Sequence, residues 1–265
     1  MGTSTRWKKP VGKHWATAAE HLSRWRPTQR RTDERLIEIA AEHLEALRRT
    51  VRTDPSAFGL YDATVTAGVR LCESLSTLHT QAPTSTHTLV ADLVKHVGDD
   101  GGTLTDAAIR RAIGTAVLET QRRHPEWDDT LARPGTGGGL AWDVLCTLYR
   151  LFFAGAVTEF LRAVVVEQVS RVLPVLVDLH AEERITDWLV ETLLDLIPNP
   201  CEEATRPHFS KGSEDLAETE DDAEQGQPLP DIAASLVPLA VRRVLGLATG
   251  EEEEKGEDRR EGSTV

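Results

Sequence analysis

The N-terminal leader interleaves cationic side chains with an aromatic one. Its central aromatic residue is Trp7, and its cations are Arg6, Lys8, Lys9 and Lys13. Guanidinium and ammonium groups bind phosphate and an indole can stack on a base, so this composition is typical of nucleic-acid contact. The competing interpretation of Trp7, which precedes Pro10 in a segment without helical period, is a disordered segment or one held by a protein partner.

Two later tryptophans have a more ordinary explanation. Trp15, Leu22 and Trp25 are spaced by seven and three positions, which places them on one face of a short helix. We therefore expect Trp15 and Trp25 to anchor this helix on the body of the fold. Residues 2–9 remain as the functional candidate.

Other residues that could support chemistry lack the spacing that chemistry requires. A Gly-rich run, 134–139, precedes a helix, but no G-K-[ST], no G-x-G-x-x-G and no strand accompanies it, so we expect an interhelical connection. The nine histidines form no H-E-x-x-H motif. His14 with His21, and Asp92 with His96, share helical faces and are expected to be solvated or capping residues. We predict no catalytic residue, no metal site and no cofactor.

The three cysteines are Cys72, Cys146 and Cys201. An odd number without C-x-x-C spacing argues against a disulfide framework and for a reducing compartment. Zinc bound through cysteine is not expected either. Cys72 and Cys146 fall on apolar helix faces, where buried and unreactive thiols are commonest.

The elements that must position these residues are predicted to be helices throughout. Apolar residues recur at intervals of three and four, and no stretch alternates as a strand does. The longest segment has a broad apolar face and a narrow polar strip, which predicts the central helix of an all-α bundle. The predicted helices cover 32–52, 59–79, 88–97, 105–122, 140–173 and 181–197.

Charge divides the chain into regions. The net charge is −13, yet residues 1–35 hold nine Arg or Lys against three acids, and acids dominate 201–226 and 251–265. Residues 231–248 form an isolated apolar segment, interrupted by Pro238, that either docks on the bundle or binds another protein. The predicted regions are a basic leader 1–14, a bundle 15–200, a disordered acidic linker 201–230, an amphipathic segment 231–248 and a disordered acidic tail 249–265.

Location is predicted from the absence of targeting signals. The first thirty residues contain no apolar signal-peptide core, so we expect a cytoplasmic protein. The most apolar segment, 144–166, contains Arg150, Glu159 and Arg162, so we expect no membrane-spanning helix.

The opening residues carry a resemblance. The N-terminal sequence Met1-Gly2-Thr3-Ser4, a leader containing Gly and Trp, and an all-helical body with a Gly-rich turn before its major helix resemble the helical B subunit of Qat-type anti-phage defence systems. The family leader is Gly-rich, whereas this one contains Lys8, Lys9 and Lys13 in its place.

The resemblance implies a non-enzymatic subunit that acts beside an ATPase, a TatD-like nuclease and a QueC-like enzyme. It further implies that the QueC-like enzyme attaches a deazaguanine-type base to the N-terminal glycine, which corresponds to Gly2. An α-amino group with a pKa of about 7.7–8.0 is a far more available nucleophile near neutral pH than a lysine at about 10.4. Thr3 and Ser4 keep the segment small and polar, and Trp7 is placed to anchor it in a groove.

Three functions follow in order of preference. The first is a helical scaffold or adaptor of a multiprotein defence assembly, with Gly2, Thr3, Ser4 and Trp7 presented to a protein partner. The second is a nucleic-acid-binding protein that uses Arg6, Lys8, Lys9 and Lys13. The third is an enzyme of unrecognised type.

Overall fold

The computed structural model describes residues 10–25, 32–81, 85–98, 102–127, 140–172, 179–205 and 229–248. These residues are mostly helical and contain no strand, so the all-α prediction is confirmed for the described part of the chain. A short 3-10 turn, Ala57–Gly59, precedes the third helix. The helices are α1 Lys13–Arg24, α2 Thr32–Thr53, α3 Leu60–Thr80, α4 Thr86–Val97, α5 Leu104–Arg123, α6 Trp142–Val172, α7 Leu179–Leu194, α8 Pro200–Ala204 and α9 Leu229–Val244.

The long helix α6 is the centre of the bundle. Its residues 151–161 are all buried, and it contacts α5 most extensively and also α1, α3, α7, α8 and α9. Glu159 is the charged residue of this stretch, and its side chain is only 3% exposed. The carboxylate accepts from Arg111 Nε of α5 at 3.1 Å and from Arg162 Nη1 at 3.4 Å, so its charge is paired.

The membrane prediction concerns this same helix. Among the described residues, 142–166 form one segment long and apolar enough to cross a bilayer, and 89% of its most apolar window is buried inside the fold. The core helix of a soluble protein passes the same test of length and composition, so the segment is weak support for a membrane span.

Gly68 explains how three helices approach one another. A Cβ at this position of α3 would lie 2.6 Å from Cζ of Phe153 on α6 and 2.9 Å from Cγ1 of Val237 on α9. Glycine costs a helix about 1 kcal/mol relative to alanine, and here the cost is offset by close packing. Gly68, whose helix propensity is low, is therefore a residue that the packing requires.

Helix α9 is part of the core. Its face of seven buried residues packs on α3, and further contacts reach α6 and α8. Of the two alternatives for 231–248, docking on the bundle is the one observed. The helix continues through Pro238, whose ring is exposed, and therefore is not interrupted there.

The cysteine prediction is wrong in part. Cys146 and Cys201 form a disulfide, with their Cα atoms 6.1 Å apart, whereas Cys72 is free and buried. The pair is separated by 55 positions, so sequence spacing carried no sign of it. Asn199 caps α8 by accepting a hydrogen bond from the Cys201 N–H, and this short helix brings Cys201 beside the start of α6. Burial raises the pKa of the Cys72 thiol to about 12, as expected for an unreactive cysteine.

Helix α8 also bears on a predicted boundary. The sequence places the start of the acidic linker at residue 201, but residues 201–204 belong to α8. The first-turn acids Glu202 and Glu203 suit a helix N-terminus, where the peptide dipoles favour negative charge. The remainder of that linker, 206–228, lies outside the described residues.

Candidate functional site

One of the predicted site residues lies within the described part of the chain, and the others lie outside it. Those that lie outside it are Gly2, Thr3, Ser4, Arg6, Trp7, Lys8 and Lys9. Lys13 is the first residue of α1 and is exposed. Pro10 is buried, and Gly12 has φ of 125°, a conformation that favours glycine. The leader therefore adjoins a glycine-dependent turn that leads directly into α1.

Trp15 anchors α1 to the body, as predicted from its spacing. The residue is 3% exposed, and its indole Nε1–H donates to Thr50 Oγ1 of α2 at 2.8 Å. The ring also meets His43 and Phe58 edge-on, with centroid distances of 6.3 and 6.4 Å. An apolar body with one satisfied polar atom is the usual state of a buried tryptophan.

Two polar contacts fix the register between α1 and α2. His21 Nδ1 donates to a Glu42 carboxylate oxygen at 2.7 Å, and Arg49 Nη1 donates to His14 Nε2 at 3.0 Å. The α1 partners are seven positions apart and so are the α2 partners, in the opposite direction along the chain. The two helices therefore run antiparallel, with the two histidines on one face as the sequence predicted.

The sequence analysis did not identify the residues of α2 that contact α1. Thr50, Glu42 and Arg49 were not singled out, although Glu42 and Arg49 repeat the seven-residue spacing of His14 and His21. Matching these two spacings would have suggested the antiparallel pair. Thr50 gives no such signal, because its hydroxyl also donates to the Ala46 carbonyl as threonines in helices commonly do.

The cations of α2 beside this anchor serve the fold. Arg52 Nε donates to the Gly246 carbonyl at 2.9 Å and Arg48 Nε to the Val244 carbonyl at 3.4 Å, so both cap the C-terminal end of α9. Burial lowers the pKa of the Arg48 guanidinium. Arg49 binds Glu45 at 2.7 Å. Among the predicted nucleic-acid contacts, the described residues thus contribute Lys13.

A groove between α3 and α4 contains the other predicted pair. Asp92 and His96 both line a cavity of about 530 Å³, which confirms that they share a face. His96 Nε2 lies 3.3 Å from a Glu73 carboxylate oxygen across the groove. Both side chains of this pair are more than half exposed, so their interaction is a weak surface contact. The Gly-rich run 134–139 lies outside the described residues.

No family model matches the chain, and neither does a curated protein or a solved structure.

Proposed function

We propose that the chain is a non-enzymatic helical adaptor subunit of a multiprotein anti-phage defence assembly, and that residues 2–9 form the segment bound by its protein partner. The docking of α1 is the observation that supports this most strongly. Pro10 and Trp15 are buried immediately behind the leader. A partner that binds the leader is consequently held against the bundle.

The length of the leader limits where that partner can sit. A fully extended chain spans at most about 3.3–3.6 Å per residue, so residues 1–9 reach roughly 30 Å from Pro10. The partner must approach the end of the bundle where α1 begins. The arginines of α2 there already bind an acid and two carbonyls, so we assign the partner contacts to Trp7 and the leader's own cations.

The chemistry of the leader favours a specific type of partner. The resemblance to the Qat B subunit implies a QueC-like enzyme that acts on the Gly2 amine, together with an ATPase and a TatD-like nuclease. Small polar residues at Thr3 and Ser4 suit entry of the amine into an active-site pocket. Trp7, three positions further on, supplies apolar area for a groove outside that pocket.

Copurification with a leader variant tests the adaptor proposal. The full chain is expressed with its neighbouring genes, purified, and analysed for copurifying proteins of the three partner classes. We expect Trp7→Ala to reduce the copurified partner at least tenfold, since a buried indole is a common hot spot. The matched control is Val11→Ala, because Val11 is 82% exposed and lies just behind the leader. Equal recovery with both variants would contradict the proposal.

The mass of the peptide that carries Gly2 tests the modification separately. We expect added mass on this peptide only when the QueC-like gene is coexpressed. An unmodified peptide from a preparation that retains its partners rules out Gly2 as an acceptor. Salt-dependent binding of DNA or RNA that is lost in a Lys8→Ala, Lys9→Ala double variant would instead favour the nucleic-acid function.

A further inference from the structure

Three potential metal ligands meet where α5 ends and α6 begins. His124 is the C-cap residue of α5, Glu126 follows two positions later, and Asp143 lies in the first turn of α6. One ligand atom from each side chain lies within 4.8 Å of the other two. The sequence gives no motif for this group, because Asp143 comes from a different helix.

Hydrogen bonds fix the orientation of the His124 ring. Thr147 Oγ1 donates to the Asp143 carbonyl at 2.9 Å, and the same oxygen lies 2.9 Å from His124 Nε2. In the tautomer with the proton on Nε2, this oxygen accepts from the Nε2–H and the Nδ1 lone pair is left for a metal ion.

In that tautomer Nδ1 is the nitrogen beside Glu126. His124 Nδ1 lies 2.9 Å from a carboxylate oxygen of Glu126. A metal ion beside both would take one ligand atom from each side chain.

The His124 side chain is largely buried, whereas the acids of the cluster are exposed to solvent. The His124 side chain is 18% exposed and Glu126 is 61% exposed. The Trp127 N–H donates to the His124 carbonyl at 3.0 Å, and the buried Trp127 ring fixes this turn to the core. The exposed acids can therefore move together until each ligand lies at a metal–ligand distance of about 2.0–2.2 Å.

We propose that His124, Glu126 and Asp143 form a divalent metal site, with Thr147 orienting the histidine through its Nε2–H. One imidazole and two carboxylates suit a borderline ion such as Zn²⁺. Orientation of a histidine ligand by a hydrogen bond from its other ring nitrogen is the usual outer-shell arrangement. The ion would tie the end of α5 to the beginning of α6.

Calorimetric titration of the full chain with Zn²⁺ tests the site. We expect one ion per chain to be bound through this cluster, and Asp143→Asn and His124→Ala each to weaken that binding at least tenfold. The matched control is His96→Ala, which removes a histidine paired with Glu73 on the surface of a different pair of helices; it should leave the affinity within twofold. Circular dichroism confirms that each variant is folded.

Unchanged Zn²⁺ affinity in Asp143→Asn, or equal weakening by His96→Ala, would overturn the proposal. Absence of stoichiometric binding would overturn it too.

Discussion

The first and last described helices, α1 and α9, are attached to the same body in different ways. Helix α9 presents a continuous face of seven buried residues, five of them aliphatic positions with no exposed area. Helix α1 buries three residues and adds polar contacts, chiefly Trp15 with Thr50 and His21 with Glu42. Burial of a large aliphatic side chain contributes about 1.5–3 kcal/mol, whereas a half-exposed polar pair contributes about 1 kcal/mol or less.

Helix α9 contributes mainly to the stability of the bundle, whereas α1 carries the segment that we propose binds a partner. We expect α9 to unfold only with the whole bundle, since its removal exposes α3 and α6. Helix α1 can detach while the rest remains folded, because less of the core depends on it. The leader is therefore attached to the more weakly held of these two helices.

The largest effect is expected from Val237→Asp on α9. Val237 is fully buried against Gly68, and an unpaired carboxylate there costs about 3–5 kcal/mol. Thermal unfolding followed by circular dichroism should show a lowered midpoint and loss of cooperativity. Ser235→Asp, at an exposed position two residues earlier, is the matched control and should change little. A mild effect of Val237→Asp would mean that α9 is no more integral than α1.

The helices were predictable because their signals are local. Periodicity located α3, α5 and α6, and it correctly assigned Trp15 to the fold. What sequence reasoning missed depends on contacts between distant segments. The disulfide of Cys146 with Cys201 and the cluster around His124 each join residues from different helices. No spacing rule within one helix can reveal such pairs.

The second largest effect is expected from a substitution in α1, the more weakly attached helix. Trp15→Ala removes a buried indole and its bond to Thr50, a change that costs about 3–5 kcal/mol in a closed core. We expect a smaller fall in the global unfolding midpoint than Val237→Asp gives, because α1 can detach first. Hydrogen exchange should show loss of protection confined to α1. A global loss as large as that of Val237→Asp would remove the distinction between the helices.

The polar pair between α1 and α2 contributes less to stability than Trp15 does, and a single substitution can test it. Glu42→Gln weakens the pair with His21, whose side chains are about one third exposed, so the expected loss is about 0.5 kcal/mol. Amide exchange in α1 should accelerate about twofold at low salt, and the difference should shrink as salt is added. Glu38→Gln is the control, since Glu38 pairs with Arg35 within α2. Equal acceleration by both variants would show that the cross-helix pair does not hold α1.

The smallest effect concerns Glu45, which links the two attachments. Its partner Arg49 reaches His14 of α1, and Arg52 reaches the Gly246 carbonyl beyond α9. The hydrogen bond from Arg49 lowers the pKa of the Glu45 carboxyl below its ordinary value of 4.5, against the opposing effect of burial. Because the pKa is lowered in the folded state, the ionised carboxylate stabilises the fold fully at pH values above 4.5. This contribution is lost as the pH falls from 4.5 through the lowered pKa of the folded state.

Glu45→Gln should therefore lower the unfolding midpoint slightly at pH 7, and this difference should diminish as the pH falls below 4.5. Glu45 is 43% exposed, so solvent screening keeps the loss below about 0.5 kcal/mol. Exchange should accelerate in both α1 and the end of α9, because both depend on the two arginines. Acceleration in α1 alone would show that the α9 end is held by its apolar face without help from Arg52, which would sharpen the contrast between the two helices.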